Sequence, residues 1–249
     1  MTRSLPRPAW TALPGPEDDV VLATRCRIAR CVDGIPFPWR ASEADLLVCA
    51  RLVRDAVERL GGPLGQGVFL EAAGMSADCL DRLLEARWAS PAWLVERAHR
   101  LLFISDDGVE SLMVHEEDHL RFQAMLPGLQ AGPAWERVRA SVDGIGAHVP
   151  YASDPGIGFL TASIANAGGG LRVSTLVHLP ALGRTGRLGP ALAAARELGG
   201  AVRGLFGEGT EGTGDLYQVS NTCARPGEQA AAARAEAAAH HLARAERTG

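Results

Sequence analysis

Residues 101–121 constrain the fold of this chain more tightly than any other stretch. Leu101–Ser105 and Ser111–Val114 are short apolar, β-prone runs separated by Asp106-Asp107-Gly108. An Asp-Gly pair tolerates the positive φ that a tight turn needs, so the segment reads as a β-hairpin. Its second strand leads directly into His115-Glu116-Glu117-Asp118-His119-Leu120-Arg121. Adjacent carboxylates repel and raise one another's pKa, which makes such a cluster at a strand end costly unless something positive docks beside it. Two readings stay open from the stretch alone: a site for a cation, or a solvated acidic turn in which Glu117 and Asp118 cap a following helix.

The basic residues narrow the chemistry. All 25 are arginine, with no lysine in the 249 residues. Mechanisms that require an amine are therefore excluded, including the phosphate-loop lysine, the protein-kinase ATP lysine, Schiff-base chemistry and Ser-Lys acylation. A net charge of −4 gives no global basic field, so nucleic acid is not an expected partner and any anion site must be local. Cys26, Cys31, Cys49, Cys79 and Cys223 are odd in number and lack metal-type spacing, which suggests neither a disulfide framework nor a zinc site. No run approaches the roughly 20 apolar residues of a membrane span. The expectation is a soluble cytoplasmic protein with one catalytic-size domain.

Along the chain, Met1–Asp19 is rich in Pro and polar residues and reads as a leader rather than an element. Val20–Thr24 opens a strand that continues into Arg25-Cys26-Arg27, where Arg25 and Arg27 would point to the same side. Ser42 and Asp45 form a helix-start pattern, followed by apolar residues at helical spacing to Leu60 and a stop at Gly61-Gly62-Pro63. Ser76 or Asp78 starts a second helix through Leu84. Ala134–Val142 is an amphipathic helix, Phe159–Ala162 a short strand, and Asn166–Gly170 a glycine-rich loop before the strand Leu171–Leu179. Leu188–Leu198 is an Ala/Leu helix closed by Gly199-Gly200. Ala201–Phe206 and Leu216–Val219 are strands, and the Ala-rich tail from Glu228 is a helix with a solvated face.

Arginines thus recur on or beside predicted strands at 25, 27, 121, 172 and 203, while Glu117 and Glu208 sit just past strand ends. Guanidinium forks match phosphate oxygens in bidentate fashion, and such a gathering repels itself without a polyanion. ATP with Mg²⁺ is the natural filler. A substrate placed between two carboxylates and facing the γ-phosphate is expected to be cationic, and a guanidinium offers paired N–H donors to each.

The segments Ala23–Arg30, His115–Arg121, Phe122–Gln130, Asn166–Ser174, Val177–Leu182 and Arg203–Gly209 resemble, in order and spacing, the ATP:guanido phosphotransferases. The resemblance runs from about Asp19 to Asn221 and is nearest to the bacterial protein-arginine kinase type. It implies an α+β fold, a mostly antiparallel β-sheet flanked by helices as in the glutamine synthetase-like catalytic domain. The implied organisation is a leader at 1–19, a catalytic domain at 20–226 and a C-terminal helix at 227–249. Implied roles are Glu117 and Glu208 as the carboxylates holding the guanidinium, and Arg25, Arg27, Arg121, Arg172, Arg203, Ser174 and Gly170 around the nucleotide. Ser163 and Asn166 lie on the substrate side. The metal is carried largely by the nucleotide, so no dedicated metal ligands are implied.

Three departures from the family pattern bear on function. Ser163-Ile164-Ala165-Asn166 stands where the family has Cys-Pro-Thr-Asn, so a hydroxyl replaces the reactive thiol. His115 stands where asparagine is usual. The resemblance also ends early, with only the opening helix of the dimerisation and phosphoarginine-sensing domain at Glu228–Arg247. The implied activity is transfer of the γ-phosphate of MgATP to arginine side chains of proteins, slowed or altered by Ser163. The alternatives are a nucleotide-binding regulatory protein and a kinase of free guanidino compounds. Expected partners are proteins presenting arginine, with a homodimer or a regulatory partner left open.

Overall fold

A computed structural model describes residues 4–95, 97–204, 213–221 and 228–249. In chain order the elements are α1 (Ala9–Ala12), β1 (Val21–Arg30), α2 (Glu43–Arg59), β2 (Gly67–Glu71), α3 (Ala77–Glu85), α4 (Pro91–Val95), β3 (Leu101–Ser105), β4 (Glu110–Val114), β5 (Leu120–Pro127), α5 (Ala131–Gly146), β6 (Ser153–Asp154), β7 (Gly158–Phe159), β8 (Leu171–His178), α6 (Pro180–Arg184), α7 (Leu188–Glu197), β9 (Gly200–Gly204), β10 (Leu216–Asn221) and α8 (Glu228–Arg247). They form two compact units. The first holds Met1–Pro8, Arg27–Ala124 and Arg137–Gly170, the second Ala9–Cys26, Met125–Glu136 and Leu171–Gly249.

In the first unit β2, β3, β4 and β5 pair in that order, all antiparallel. The predicted hairpin is present: Leu101 pairs with Val114 and Ile104 with Ser111, and Gly108 takes φ +69 in the turn. Asp107 fixes the turn by accepting from Ser105 Oγ at 2.6 Å and Val109 N at 3.1 Å. Every residue of β3 and β4 is buried, which explains their near-continuous apolar runs. Leu102, Ile104 and Met113 pack with Leu83, Trp88 and Trp93 from the α3–α4 segment. Burial pushes the Glu110 carboxyl above its ordinary value. Arg137 Nε at 2.6 Å and the Ser141 hydroxyl, both on α5, oppose the shift and tie that helix to β4.

The second unit is built on β8, β10 and β9, again antiparallel, with Val219 opposite Thr175 on one side and Val202 on the other. One face carries Val177, Tyr217 and Val219 into a core with Ala191 and Ala195 of α7 and Ala238, Ala239, Leu242 and Ala243 of α8. Small side chains let these helices approach the strands closely. The Ala-rich tail is thus a packed helix with one solvated face. Its Glu246 accepts from Ala181 N at 2.6 Å and Leu182 N at 3.0 Å at the start of α6.

Several expectations need correction. The leader contains α1, and Glu17 and Asp19 hold Arg247, the latter at 2.6 Å. The strand expected at Phe159–Ala162 is only Gly158–Phe159, paired with Ser153–Asp154. Strands β2 and β5 and helices α4 and α6 were not anticipated. The expected N-cap patterns are met: Ser42 and Asp45 form a reciprocal capping box at 3.2 and 2.9 Å, and Ser76 accepts from Cys79 N at 3.3 Å. Cys31, Cys49 and Cys79 are free thiols.

Candidate active site

After the acidic cluster comes β5, not a helix, so capping a following helix is not what the cluster does. The three carboxylates have three different fates. Glu116 accepts from the Ser90 hydroxyl and forms an ion pair with Arg121, its side chain only 5% exposed. Burial pushes its carboxyl upward, and the neighbouring Glu117 and Asp118 add to the rise. Asp118 turns inward, 2% exposed. Its Oδ1 accepts from Ala162 N at 2.6 Å and Ser163 N at 3.4 Å, and its Oδ2 from Asn166 Nδ2 at 2.8 Å. Glu117 is exposed and makes no hydrogen bond or ion pair among the described residues.

Two histidines brace the turn. His119 is fully buried with both ring nitrogens engaged, Nδ1 accepting from Val32 N at 3.0 Å and Nε2 lying 3.0 Å from Pro36 O. His115, 3% exposed, sits at φ +60 with Nδ1 2.8 Å from His99 O. A carbonyl can only accept, so Nδ1 carries the proton and Nε2 is an acceptor. That Nε2 is buried without a hydrogen-bond partner among the described residues. Burial lowers the His115 pKa to about 4, so the ring is neutral at physiological pH.

A cavity of about 660 Å³ opens beside Glu117. Its walls are the apolar Pro38, Trp39 and Leu46, the basic Arg97 and Arg100 with His99, and Ala162 next to Ser163. Trp39 is 69% exposed, an unusual state for a large aromatic and one suited to a ligand-facing rim. Among the described residues the cavity therefore presents a carboxylate without a partner, Glu117, an aromatic wall and guanidinium groups. The wall residues Trp39, Arg97 and Arg100 were missed from the sequence. The one signal for them was local, a Pro-Phe-Pro-Trp run and the basic cluster just before β3.

Asn166 and Ser163 are brought together with the acidic turn through Asp118. Ser163 precedes a 3-10 turn at Ile164–Asn166 without capping it by its side chain. Gly170, at φ +68, is pressed against β1: a Cβ there would meet Ala29 O at 2.6 Å. Its close approach is thus to backbone, and Ala29 N donates to Gly170 O at 3.1 Å. Arg30 reinforces the loop, donating to Gly169 O at 2.8 Å with its guanidinium 3.7 Å from the Phe159 ring centroid.

The second unit gathers another predicted group. Ser174 lies opposite Ser220, and Gln218 lies opposite both Leu176 and Arg203. Cross-strand partners share a face and residues two apart on a strand share a face. Arg172, Ser174 and Arg203 therefore lie on one side of this sheet, opposite the face packed on α7 and α8. Arg172 Nη2 reaches Ser220 Oγ at 3.4 Å. Arg25 and Arg27 are half-buried on β1, Arg25 counted in the second unit and Arg27 in the first. Glu208 lies outside the described residues.

Comparison with known proteins gives this constellation its context. The chain belongs to the ATP:guanido phosphotransferase family, its residues 49–248 matching the C-terminal catalytic domain. It is 38% identical over 215 residues to the protein-arginine kinase of Pelotomaculum thermopropionicum, covering 85% of this chain and 60% of that one. It is 39% identical over 222 residues to the protein-arginine kinase of Desulforamulus reducens, covering 88% and 62%. The chain spans about three fifths of the length of these relatives. Solved structures share the fold: lombricine kinase, at TM-score 0.81 and 20% identity over 99% of this chain and 72% of that one, and substrate-free taurocyamine kinase from Schistosoma mansoni, at TM-score 0.78 and 21% identity over 98% and 36%. The mostly antiparallel, helix-flanked architecture expected from the sequence is thus the architecture of guanidino kinases.

Proposed function

We propose that this chain carries the active centre of a protein-arginine kinase, which moves the γ-phosphoryl group of MgATP to the guanidinium of an arginine side chain in a protein. The observation that carries this reading is the division of labour in the acidic turn. Glu116 and Asp118 are consumed by Arg121 and by the Ser163 loop, which leaves Glu117 as a carboxylate facing a cavity with no partner among the described residues. A guanidinium placed against Glu117 fits it with two parallel N–H donors. Glu208 is the second carboxylate in this reading.

The chemistry then follows from charge. A guanidinium nitrogen attacks the γ-phosphorus while the bond to the bridging β-oxygen breaks, ADP leaves, and the proton lost from nitrogen passes to a carboxylate. The carboxylates fix the nitrogen in line and draw off positive charge as the N–P bond forms. Arg25, Arg27, Arg121, Arg172 and Arg203 are the phosphate-binding guanidiniums, with Ser174 and Gly170 beside the nucleotide. Among the described residues no three His, Cys, Asp or Glu side chains are grouped as a metal cage. Mg²⁺ in this reading arrives on the triphosphate oxygens. Among the described residues no helix is long and apolar enough to cross a membrane, and we assign the protein to the cytoplasm.

A second reading, a nucleotide-binding regulatory protein, is favoured by Ser163, which offers a hydroxyl where the family pattern has a thiol. One experiment separates them. The protein is incubated with MgATP and an arginine-rich protein, and arginine is assayed for acid-labile phosphate. Phosphoarginine in the protein supports the kinase. Nucleotide binding without transfer supports the regulator, and label on free arginine alone supports a small-molecule kinase.

A further inference from the structure

Ile164 is 92% exposed, the most exposed large hydrophobic side chain among the described residues, and Trp39 is 69% exposed. Single apolar side chains on a surface are ordinary and call for no explanation. These two differ because each stands on a turn that is tied down beside Glu117. Asp118 accepts from Ala162 N and Ser163 N before Ile164 and from Asn166 Nδ2 after it. Within that turn Asn166 N donates to Ser163 O at 2.9 Å, and Ala167 N donates to Ile164 O at 3.2 Å. His119 holds the other turn, with Nδ1 accepting from Val32 N and Nε2 lying 3.0 Å from Pro36 O. Arg40 N and Ala41 N then both donate to Phe37 O, at 2.8 and 2.9 Å, which closes the backbone around Trp39. The two residues that follow Glu117 thus each anchor one exposed apolar tip. Both turns reach the same opening: Trp39 lines the cavity beside Glu117, and so does Ala162, two residues before Ile164.

We infer that Trp39 and Ile164 dock the polypeptide that carries the target arginine and favour bulky apolar side chains beside it. The inference rests on the proposed protein-arginine kinase activity and names a specificity-determining contact of that site. Continuity with the cavity supplies the occupant. An arginine in a protein differs from the free amino acid in bringing a main chain and neighbouring side chains to the cavity mouth once its guanidinium reaches Glu117. Apolar neighbours that meet Trp39 and Ile164 there leave water, and so do the two tips. The rigid mounts matter as much as the side chains. A tip already fixed by hydrogen bonds has little freedom left to lose on binding. An exposed tryptophan also offers a large contact area with only two side-chain torsions to immobilise.

The test uses three labelled peptides in a Gly/Ser host: one arginine with Leu on both sides, the same peptide with Ala in place of Leu, and the Leu peptide with its arginine changed to Gln. Binding to the whole chain is read by fluorescence anisotropy, and phosphorylation from MgATP is measured separately. The Leu peptide is expected to bind about three- to tenfold more tightly than the Ala peptide, the gain from partly burying two Leu side chains. The difference should hold as salt is raised, because screening acts on charges. Changing the arginine to Gln should weaken binding, and Ile164→Ser, checked for unchanged thermal unfolding, should erase the Leu preference. Equal affinities for the Leu and Ala peptides overturn the inference. So does a preference that survives both Ile164→Ser and Trp39→Ser, or binding indifferent to the arginine, because the apolar residues then bind elsewhere. Sedimentation adds one further outcome: a dimer lost in Ile164→Ser with peptide affinities unchanged assigns the tips to a second copy of the chain and overturns the inference. Ile164-dependent binding of the Leu peptide with no phosphorylation of any peptide would leave the docking contact standing and remove the kinase reading.

Discussion

Asn166 donates its side-chain amide to the Asp118 carboxylate at 2.8 Å, a bond that joins the substrate-side loop to the acidic turn. The same carboxylate holds Ala162 N at 2.6 Å and Ser163 N at 3.4 Å. A buried carboxylate can satisfy several N–H donors at once because all of its lone pairs accept, whereas an amide replaces one acceptor by two donors. Asp118→Asn should therefore cost about 1–3 kcal/mol and lower kcat/KM as the loop loses its anchor. Asn166→Ala leaves the two backbone donors in place and should cost about 1 kcal/mol. Denaturant unfolding of both variants checks the order. A larger loss for Asn166→Ala would show that Asp118 is not the anchor.

Glu116 and Glu117 are sequence neighbours with opposite expected phenotypes. Glu117 is exposed and without a partner among the described residues, so Glu117→Gln should leave stability within about 0.5 kcal/mol while reducing kcat by roughly 10²–10⁴. Glu116 is the ion-pair partner of Arg121. Glu116→Gln should cost about 1–3 kcal/mol and weaken nucleotide binding, because the Arg121 fork loses the carboxylate that orients it. Turnover assays paired with thermal melts distinguish the two. Wild-type turnover in Glu117→Gln would remove that residue from the site.

What could be read from the sequence was what local chemistry determines. The Asp-Gly turn announced β3 and β4, and Ser42 with Asp45 announced α2, because each signal lies within a few residues of the element it starts. Strand β5 was hidden because the side chains that break its apolar run find partners elsewhere: Arg121 pairs with Glu116, and Gln123 Nε2 donates to Arg87 O at 2.7 Å. The roles within the acidic turn were hidden for a related reason. In the sequence Glu116, Glu117 and Asp118 are three equivalent carboxylates. They become different only when Ser90, Ala162 and Asn166 arrive from distant segments. The cavity wall at Trp39, Arg97 and Arg100 is likewise a product of tertiary structure.

The Ala-rich helix α8 contributes more than packing. Glu246 accepts two backbone amides at the start of α6 and is itself only 9% exposed. Charge-assisted bonds of this kind are about twice as strong as neutral ones. Glu246→Ala should destabilise the protein by about 1–3 kcal/mol, and Glu246→Gln, which keeps one acceptor, should fall between it and wild type. Thermal unfolding of the three proteins tests this. Equal stability throughout would mean that α6 is capped in another way.

His115 sets an expectation for pH. Its pKa is lowered from 6.5 to about 4 by burial, so the folded state keeps the ring neutral where the unfolded chain already binds a proton. The sign follows directly: above pH 6.5 both states are neutral and the protein is at full stability. As pH falls from 6.5 to about 4, the unfolded state gains protons that the folded state refuses. The loss from this residue is on the order of 3 kcal/mol and levels off below about pH 4. His119, also lowered by burial, adds to the slope. His115→Asn should remove the larger part of the slope while keeping a residue that tolerates φ +60. Chemical denaturation at half-unit steps between pH 4 and 7 measures it. An unchanged slope in His115→Asn would assign the acid sensitivity to other groups.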